Sequence, residues 1–221
     1  MQTGFIRIAA AAAVLASAGS AMAFVPWSNP NGSGTNFQWA NGGSRNGLFG
    51  SPTLVNGDTF VFFPSGFRAQ SVGGGSNLVE DRLEFELYAA PGFNITNIRI
   101  SEFGDYGVIG EGSSVSAGGS LIVTNLDNFD VATNAIVTQP GSPITEEGFG
   151  NWRGDAAVEL VGWSRVKVIV DNDLVAISGQ GGIAYIEKKV FGSGISIQIV
   201  PAPGSIALVG LGGMMMLRRR R

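Results

Sequence analysis

Hydrophobic and polar residues alternate along several short segments of the chain. The segments RLEFEL (82–87), NIRIS (97–101) and ISIQI (195–199) each place an apolar side chain at every second position. A period of two is typical of a β-strand with one face in a core and the other in water. These segments therefore predict strands rather than helices.

Other segments are rich in β-branched and aromatic residues, which favour strands. Groups of turn-forming residues separate them, at 90–92, 116–119, 140–143 and 179–182. Between 24 and 199 we find no apolar stripe with helical spacing, and 120–139 is predicted as two strands. The further predicted strands are TFVFF (59–63), SLIVTNL (120–126), AAVEL (156–160), RVKVIV (165–170), LVAIS (174–178) and AYIEKKVF (184–191).

About ten short strands with one wet face each need a second layer to cover the other face. The predicted fold is therefore an all-β antiparallel β-sandwich spanning 24–199, with a jelly roll as the more specific variant. A signal helix at the N-terminus and a short hydrophobic helix at the C-terminus are expected to flank it.

The N-terminal segment 1–23 has the three parts of a secretory signal. Arg7 supplies positive charge, IAAAAAVLASA (8–18) is apolar, and Ala21 and Ala23 place small residues where signal peptidase reads them. A membrane-spanning helix needs about 20 apolar residues, and Ser17, Gly19 and Ser20 interrupt this run. We expect cleavage after Ala23 and export of the chain.

The C-terminal segment 200–221 has a different three-part layout. Pro201, Ala202 and Pro203 precede a short apolar run, and four arginines end the segment: Arg218, Arg219, Arg220 and Arg221. A helix over 204–217 would be about 21 Å long, shorter than the roughly 30 Å hydrocarbon core. Positive charge stays on the cytoplasmic side. We therefore expect transient insertion in the inner membrane, with a plain anchor as the alternative.

This layout resembles the PEP-CTERM sorting signal of Gram-negative and related bacteria, with Ala202 where the family motif has glutamate. The resemblance covers only 200–221. It implies that a membrane protease, exosortase, recognises the segment, cuts near the motif and passes the body to the cell surface or extracellular matrix. Signal peptidase and exosortase are then the expected processing partners.

Composition restricts the chemistry of the body. The chain has no cysteine and no histidine, which excludes thiolate catalysis, a serine triad with histidine and most zinc sites. All 17 acidic residues lie between Asp58 and Glu187, against nine basic residues in the same body, a net charge of −8. An acidic body repels nucleic acid. We expect no cofactor, no catalytic residue and no nucleic-acid partner.

The segment 24–52 is rich in Gly, Asn and Ser and carries several aromatic residues. The simpler interpretation places these rings at the edge of the core. The functional alternative is a sugar-binding face, with Trp27, Phe37 and Trp39 stacked on pyranose rings and an extracellular polysaccharide as partner.

Two clusters of Asp and Asn raise the question of calcium, which prefers several oxygen ligands. One contains Asp127 and Asp130, and the other contains Asp171 and Asp173. The second cluster lies between two apolar runs and has the residue types of a three-residue hairpin turn. Turns are therefore the preferred interpretation of both clusters, with calcium as the alternative, and no metal site is predicted.

Carboxylate pairs are the remaining candidates for chemistry. Glu84 and Glu86 alternate with apolar residues and should face solvent. We therefore do not predict a glycosidase dyad at this pair, or at the pairs 80–81 and 146–147. The leading hypothesis is a non-enzymatic exported surface or matrix protein. A carbohydrate-binding module is the second hypothesis, and an extracellular hydrolase is the third.

Overall fold

The computed structural model describes residues 24–189 and 194–204, and this part of the chain consists of β-strands and loops without a helix. No helix long and apolar enough to cross a bilayer is found within these two ranges. The strands, in chain order, are β1 (Val25–Pro26), β2 (Gly32–Gly34), β3 (Phe37–Ser44), β4 (Thr53–Val55), β5 (Thr59–Phe62), β6 (Arg68–Val72), β7 (Gly75–Ala89), β8 (Phe93–Ile109), β9 (Ser114–Asn125), β10 (Val131–Ala135), β11 (Val137–Gln139), β12 (Gly148–Trp163), β13 (Arg165–Ser178), β14 (Ile183–Lys188) and β15 (Ile195–Pro203).

The strands form two antiparallel sheets. A seven-stranded sheet has the order β1-β3-β7-β13-β9-β10, with β2 beside β3. An eight-stranded sheet has the order β11-β12-β8-β15-β5-β4, with β14 beside β8 and β6 beside β14. The predicted all-β class is confirmed, and the two sheets share one core in the layered manner of a β-sandwich. The predicted terminal helices lie outside the described residues.

Alternation along the long strands builds this core. In β7, Leu83, Phe85 and Leu87 are buried while their neighbours are partly exposed, as the period of two predicts. β13 pairs with β7 over its whole length, so that Phe85 lies opposite the buried Val168. Each such pair removes two apolar side chains from water on the same face of the sheet.

Aromatic residues from both sheets meet at the centre of the core. The ring of Trp27 lies 5.4 Å from Phe85 in the seven-stranded sheet and 5.7 Å and 5.6 Å from Phe60 and Phe62 in the eight-stranded sheet. The pairs are tilted or edge-on, the geometries that the ring quadrupole favours. This cluster joins the two layers through direct side-chain contact.

The structure corrects the prediction of a hairpin at 171–173. β13 continues through these residues, and Asp171, Asn172 and Asp173 pair with β7 on one side and β9 on the other. Turn propensity is overridden because the sheets supply partners for the polar groups. Arg82 on β7 binds Asp171 with two hydrogen bonds, and Asn172 donates to Glu102 on β8.

A second predicted turn, at 116–119, is also wrong, because these residues lie inside β9. Gly119 has φ of 148°, and a Cβ at this position would lie 2.2 Å from the carbonyl oxygen of Asp171 on β13. The glycine therefore allows close approach of two neighbouring strands rather than a reversal of the chain.

The last strand extends beyond residue 199, the predicted end of the sandwich. Pro201, Ala202 and Pro203 form the end of β15 and pair with β8 opposite Ile95, Asn94 and Phe93. A register shift separates them from Val200. The shift accommodates prolines, which cannot donate a ladder hydrogen bond.

Candidate functional site

Two aromatic rings lie side by side on the outer face of the eight-stranded sheet. Phe149 on β12 and Tyr185 on β14 both lie opposite Gly107 of β8, which runs between them. Their ring centroids are 6.4 Å apart with planes inclined by 37°. Phe149 is 70% exposed. We call Phe149, Gly107 and Tyr185 the aromatic platform.

Gly107 is required for this arrangement. A Cβ at position 107 would lie 2.5 Å from Cε1 of Tyr185 and 2.8 Å from Cδ1 of Phe149. These distances are shorter than van der Waals contact, so a side chain here would push the rings apart. Both rings thus pack against the backbone of β8 at Gly107.

Polar side chains border the platform on the β14 side. The guanidinium of Arg68 on β6 lies 4.6 Å from the centre of the Tyr185 ring and donates to Glu187 at 2.8 Å and to Gln70 at 3.0 Å. Arg68 thus packs on Tyr185, whereas the ring of Phe149 stays open to solvent.

A second polar group lies beside these residues. Lys189 binds Asp105 of β8 at 2.8 Å and donates to the amide oxygen of Asn151 on β12 at 3.1 Å. We call Lys189, Asp105 and Asn151 the exposed lysine cluster. A cavity of about 340 Å³ lies next to it, and its lining includes Arg68, Asp105, Glu187 and Lys189. A cavity of this size admits a small ligand.

The described surface therefore combines one open ring, a second ring under an arginine, and several hydrogen-bonding groups that a ligand can reach. Flat apolar rings match the apolar faces of pyranoses, and carboxylate, amide and guanidinium groups suit sugar hydroxyls. Sequence reasoning missed Phe149 and Tyr185, because they belong to different strands and meet only through the pairing of β12 and β14 with β8.

The aromatic residues of the N-terminal segment occupy other positions. Trp27 and Phe37 are 3% and 2% exposed, so their faces are closed to a sugar in this structure. Trp39 is half-buried, lies edge-on against Phe60 at 5.2 Å and donates from Nε1 to the carbonyl of Asn29 at 3.2 Å. Trp27 and Phe37 thus belong to the core, and Trp39 lies at its edge.

The predicted calcium candidates are held by protein groups. Asp171 forms an ion pair with Arg82 at 2.5 Å, and Asp127 binds Arg165 at 3.0 Å. Asp130 accepts from the amide of Asn128 at 2.7 Å. In 24–189 and 194–204 no group of three or more acidic residues has the arrangement of a metal site.

Asp173, the fourth of these candidates, is partly buried on β13. Desolvation raises the pKa of its carboxyl above the ordinary value of 3.8, and Lys188 partly offsets this effect. Asp171, two residues earlier on β13, accepts a hydrogen bond from Arg82, and this bond raises the pKa of the Arg82 guanidinium.

Three of the candidate carboxylates, Asp81, Glu84 and Glu86, are engaged in structural contacts, whereas Glu146 and Glu147 lie exposed in the segment before β12. Asp81 is buried and accepts from the backbone N–H of Asn46 at 2.7 Å and of Leu48 at 2.8 Å, which fixes the loop after β3. Glu84 binds Lys167 at 2.5 Å. Glu86 accepts from the hydroxyl of Tyr88, and this bond raises the pKa of the phenol.

The predicted processing residues are only partly described. Ala21 and Ala23, together with Arg218, Arg219, Arg220 and Arg221, lie outside the described residues. Pro201, Ala202 and Pro203 lie in β15, and Gly204 is the last described residue.

No protein-family model matches the chain, and no curated protein matches it. Among solved structures, it is similar to the CBM22-1 and GH10 modules of Clostridium thermocellum endo-1,4-β-D-xylanase 10B complexed with xylohexaose, at 8% identity over 60% of this chain and 26% of that chain, with a TM-score of 0.27. It is also similar to the CBM22-2 xylan-binding domain of Paenibacillus barcinonensis Xyn10C, at 11% identity over 62% of this chain and 94% of that domain, with a TM-score of 0.25. These identities and TM-scores are too low to assign a function to this chain.

Proposed function

We propose that the chain is a non-enzymatic exported protein of the cell surface or extracellular matrix whose β-sandwich binds an extracellular polysaccharide. The observation that carries the binding proposal is the aromatic platform. Phe149 offers an open apolar ring, and Tyr185 and Arg68 extend the same surface. Burial of a ring face against the apolar face of a sugar provides the main favourable free energy.

Specificity comes from the polar border of the platform. Glu187 and Asp105 accept hydrogen bonds from sugar hydroxyls, and Arg68 and Lys189 donate them. Each of these groups already has a protein partner, which holds it in place before the ligand arrives. A chain of sugars fits better than one sugar, because the platform, its polar border and the adjacent cavity lie side by side along the sheet.

Affinity electrophoresis tests the binding proposal. The full-length protein is run through native gels that contain xylan, mixed-linkage β-glucan or polysaccharide extracted from the native cells. We expect at least one polymer to retard it and Phe149→Ala to abolish the retardation. Phe129→Ala is the matched control, because Phe129 is 75% exposed in the turn after β9, in the other sheet. Equal mobility of the wild type in all gels would overturn the proposal.

The export and sorting part of the proposal rests on the two terminal segments. Cleavage after Ala23 releases the body from the signal. The apolar segment 204–217, followed by the four arginines 218–221, holds the body in the inner membrane until exosortase cuts. Residues 201–203 pair with β8, so a cut C-terminal to Pro203 leaves the sheet intact. After the cut, the body reaches the cell surface or matrix.

Mass spectrometry of protein from the native cells tests this second part independently. We expect a mature chain that starts at Phe24 and lacks Arg218 to Arg221. Replacement of the four arginines by serine should disturb membrane arrest. A native protein that keeps all four arginines and stays in the membrane would identify the segment as a plain anchor.

A further inference from the structure

Three polar side chains meet inside the core, between the two sheets. Lys188 at the end of β14 and Glu102 of β8 are 0% and 1% exposed at their side chains, and Nζ lies 2.6 Å from Oε2. The other carboxylate oxygen, Oε1, accepts from Nδ2 of Asn172 on β13. We call Lys188, Glu102 and Asn172 the buried lysine cluster. A single carboxylate thus bridges the amine and the amide.

Apolar rings surround the amine. Nζ of Lys188 lies 5.0 Å from the ring of Trp152 and 5.1 Å from that of Phe67. Burial lowers the pKa of Lys188, although Glu102 acts in the opposite direction. Low polarity therefore favours transfer of a proton from the ammonium to the carboxylate. The resulting neutral amine carries a lone pair and is a nucleophile.

The amide of Asn172 is incompletely satisfied. Its oxygen Oδ1 is buried and has no hydrogen-bond partner among the described residues. The two ends of an asparagine amide are nearly equal in shape, so rotation by half a turn about Cβ–Cγ would place Oδ1 against Oε1. A protonated Glu102 could then donate to Oδ1 and polarise the carbonyl carbon Cγ.

We propose that Nζ of Lys188 and Cγ of Asn172 form an intramolecular isopeptide bond, with Glu102 as the acid–base group. Both reacting groups contact the same carboxylate, and all three side chains are fixed by packing between the sheets. This positioning replaces a bimolecular encounter with an intramolecular one. The link would join β14 of one sheet to β13 of the other.

The atoms of this step balance without a further reactant. Glu102 first takes one proton from the ammonium of Lys188. The neutral Nζ attacks Cγ, which becomes tetrahedral, so that Nδ2 can turn back toward the carboxyl. The carboxyl then gives its proton to Nδ2 and takes another from Nζ. The Cγ–Nδ2 bond breaks, ammonia leaves, and Glu102 ends protonated. The product is a secondary amide, with no change in oxidation state.

The exposed lysine cluster is a control supplied by the same molecule. Lys189 is the next residue and also contacts a carboxylate and an asparagine. Its side chain is 33% exposed and that of Asp105 is 30% exposed. Water reaches this pair, so the desolvation on which the step in the core depends is absent, and we expect no bond there. The proposal thus depends on burial and not on residue types alone.

Peptide mapping of the full-length protein, purified in denaturant and digested with trypsin and a glutamate-specific protease, tests the proposal directly. No lysine or arginine lies between Lys167 and Lys188, so trypsin alone leaves both residues in one peptide, and cleavage after Glu187 separates them. We expect a branched peptide that joins 168–187 to 188–189, lighter than their sum by one ammonia, about 17 Da. Trypsin should fail to cut after Lys188 and should cut after Lys189. Unmodified peptides cleaved at Lys188, with no branched product, would overturn the proposal whatever the variants do.

Variants assign the roles within the cluster. In Asn172→Asp the link should still form but with loss of water, about 18 Da, instead of ammonia. Lys188→Met and Glu102→Gln should contain no branched peptide, whereas Lys189→Met should keep it. A branched peptide in Glu102→Gln would overturn the acid–base role of Glu102, and one in Lys188→Met would overturn the assignment of the amine.

Discussion

The inner and outer faces of the eight-stranded sheet carry the same kinds of side chain in different surroundings. On the inner face, Lys188 contacts Glu102 beneath Trp152 with no access to water. On the outer face, Lys189 contacts Asp105 and is one-third exposed. The pair of faces teaches that burial, and not residue type, decides what a charged side chain does. A charged side chain on the inner face contributes to stability through its partner in the core. One on the outer face remains accessible to a ligand.

The largest difference between the faces should follow removal of one carboxylate from each. Glu102→Ala leaves an amine in the core without its partner and should lower the free energy of unfolding by about 3–5 kcal/mol. Asp105→Ala breaks an exposed pair and should change it by less than about 1 kcal/mol. Urea unfolding of both variants measures the difference. Equal effects would mean that the two faces are alike in polarity.

Aromatic truncation should separate the faces almost as strongly. Trp152 is 1% exposed and its Nε1 donates to the carbonyl of Glu187 at 3.1 Å. Trp152→Ala should therefore reduce the unfolding free energy by about 3–5 kcal/mol, and Phe149→Ala by no more than about 0.5 kcal/mol. Thermal denaturation followed by circular dichroism checks both. A large loss in Phe149→Ala would make this ring part of the core.

A smaller effect is expected where a side chain is added beneath the aromatic platform. Gly107→Ala forces the rings of Phe149 and Tyr185 apart and should cost about 1 kcal/mol. Gly141→Ala is the control, because a Cβ at position 141 meets no atom of the described residues within 4 Å. The same two variants, run on the polysaccharide gels, should differ in mobility. Identical stability and mobility would show that the platform does not depend on Gly107.

The smallest expected effect concerns Asp173 and its pH dependence. A carboxyl with a raised pKa in the folded state opposes folding once pH exceeds its ordinary value of 3.8. Asp173→Asn should thus be more stable than the wild type at pH 7, and the advantage should disappear as pH falls below that value. Unfolding midpoints at pH 3 and pH 7 provide the measurement. If Asp173→Asn is less stable than the wild type at pH 7, then the Asp173 carboxylate stabilises the folded state, contrary to this prediction.

The sequence predicted the fold class where the signal was local. Alternation in 82–87, 97–101 and 195–199 was enough to predict strands and their buried sides. It failed at 171–173, because Asp171 and Asn172 depend on Arg82 and Glu102, which are 89 and 70 residues away in the chain. Turn propensity depends only on residues that are close in the sequence, so it does not include such distant partners.

The candidate site was hidden for a related reason. Phe149, Gly107 and Tyr185 come from three strands and meet only through register. The aromatic-rich segment at the N-terminus offered a stronger local signal, but Trp27 and Phe37 complete the core. Composition could indicate that rings were available, and only pairing between distant strands determined which of them face water.

The position of β15 has a consequence for the order of folding. β15, the last of the described strands, lies between β8 and β5, so the β4–β5 hairpin is not joined to β8 until residues 195–203 arrive. Contacts of such high sequence separation slow folding and keep hydrophobic edges open during synthesis. Under the export proposed above, the same topology would delay closure of the sheet until residues 195–203 have also crossed the membrane.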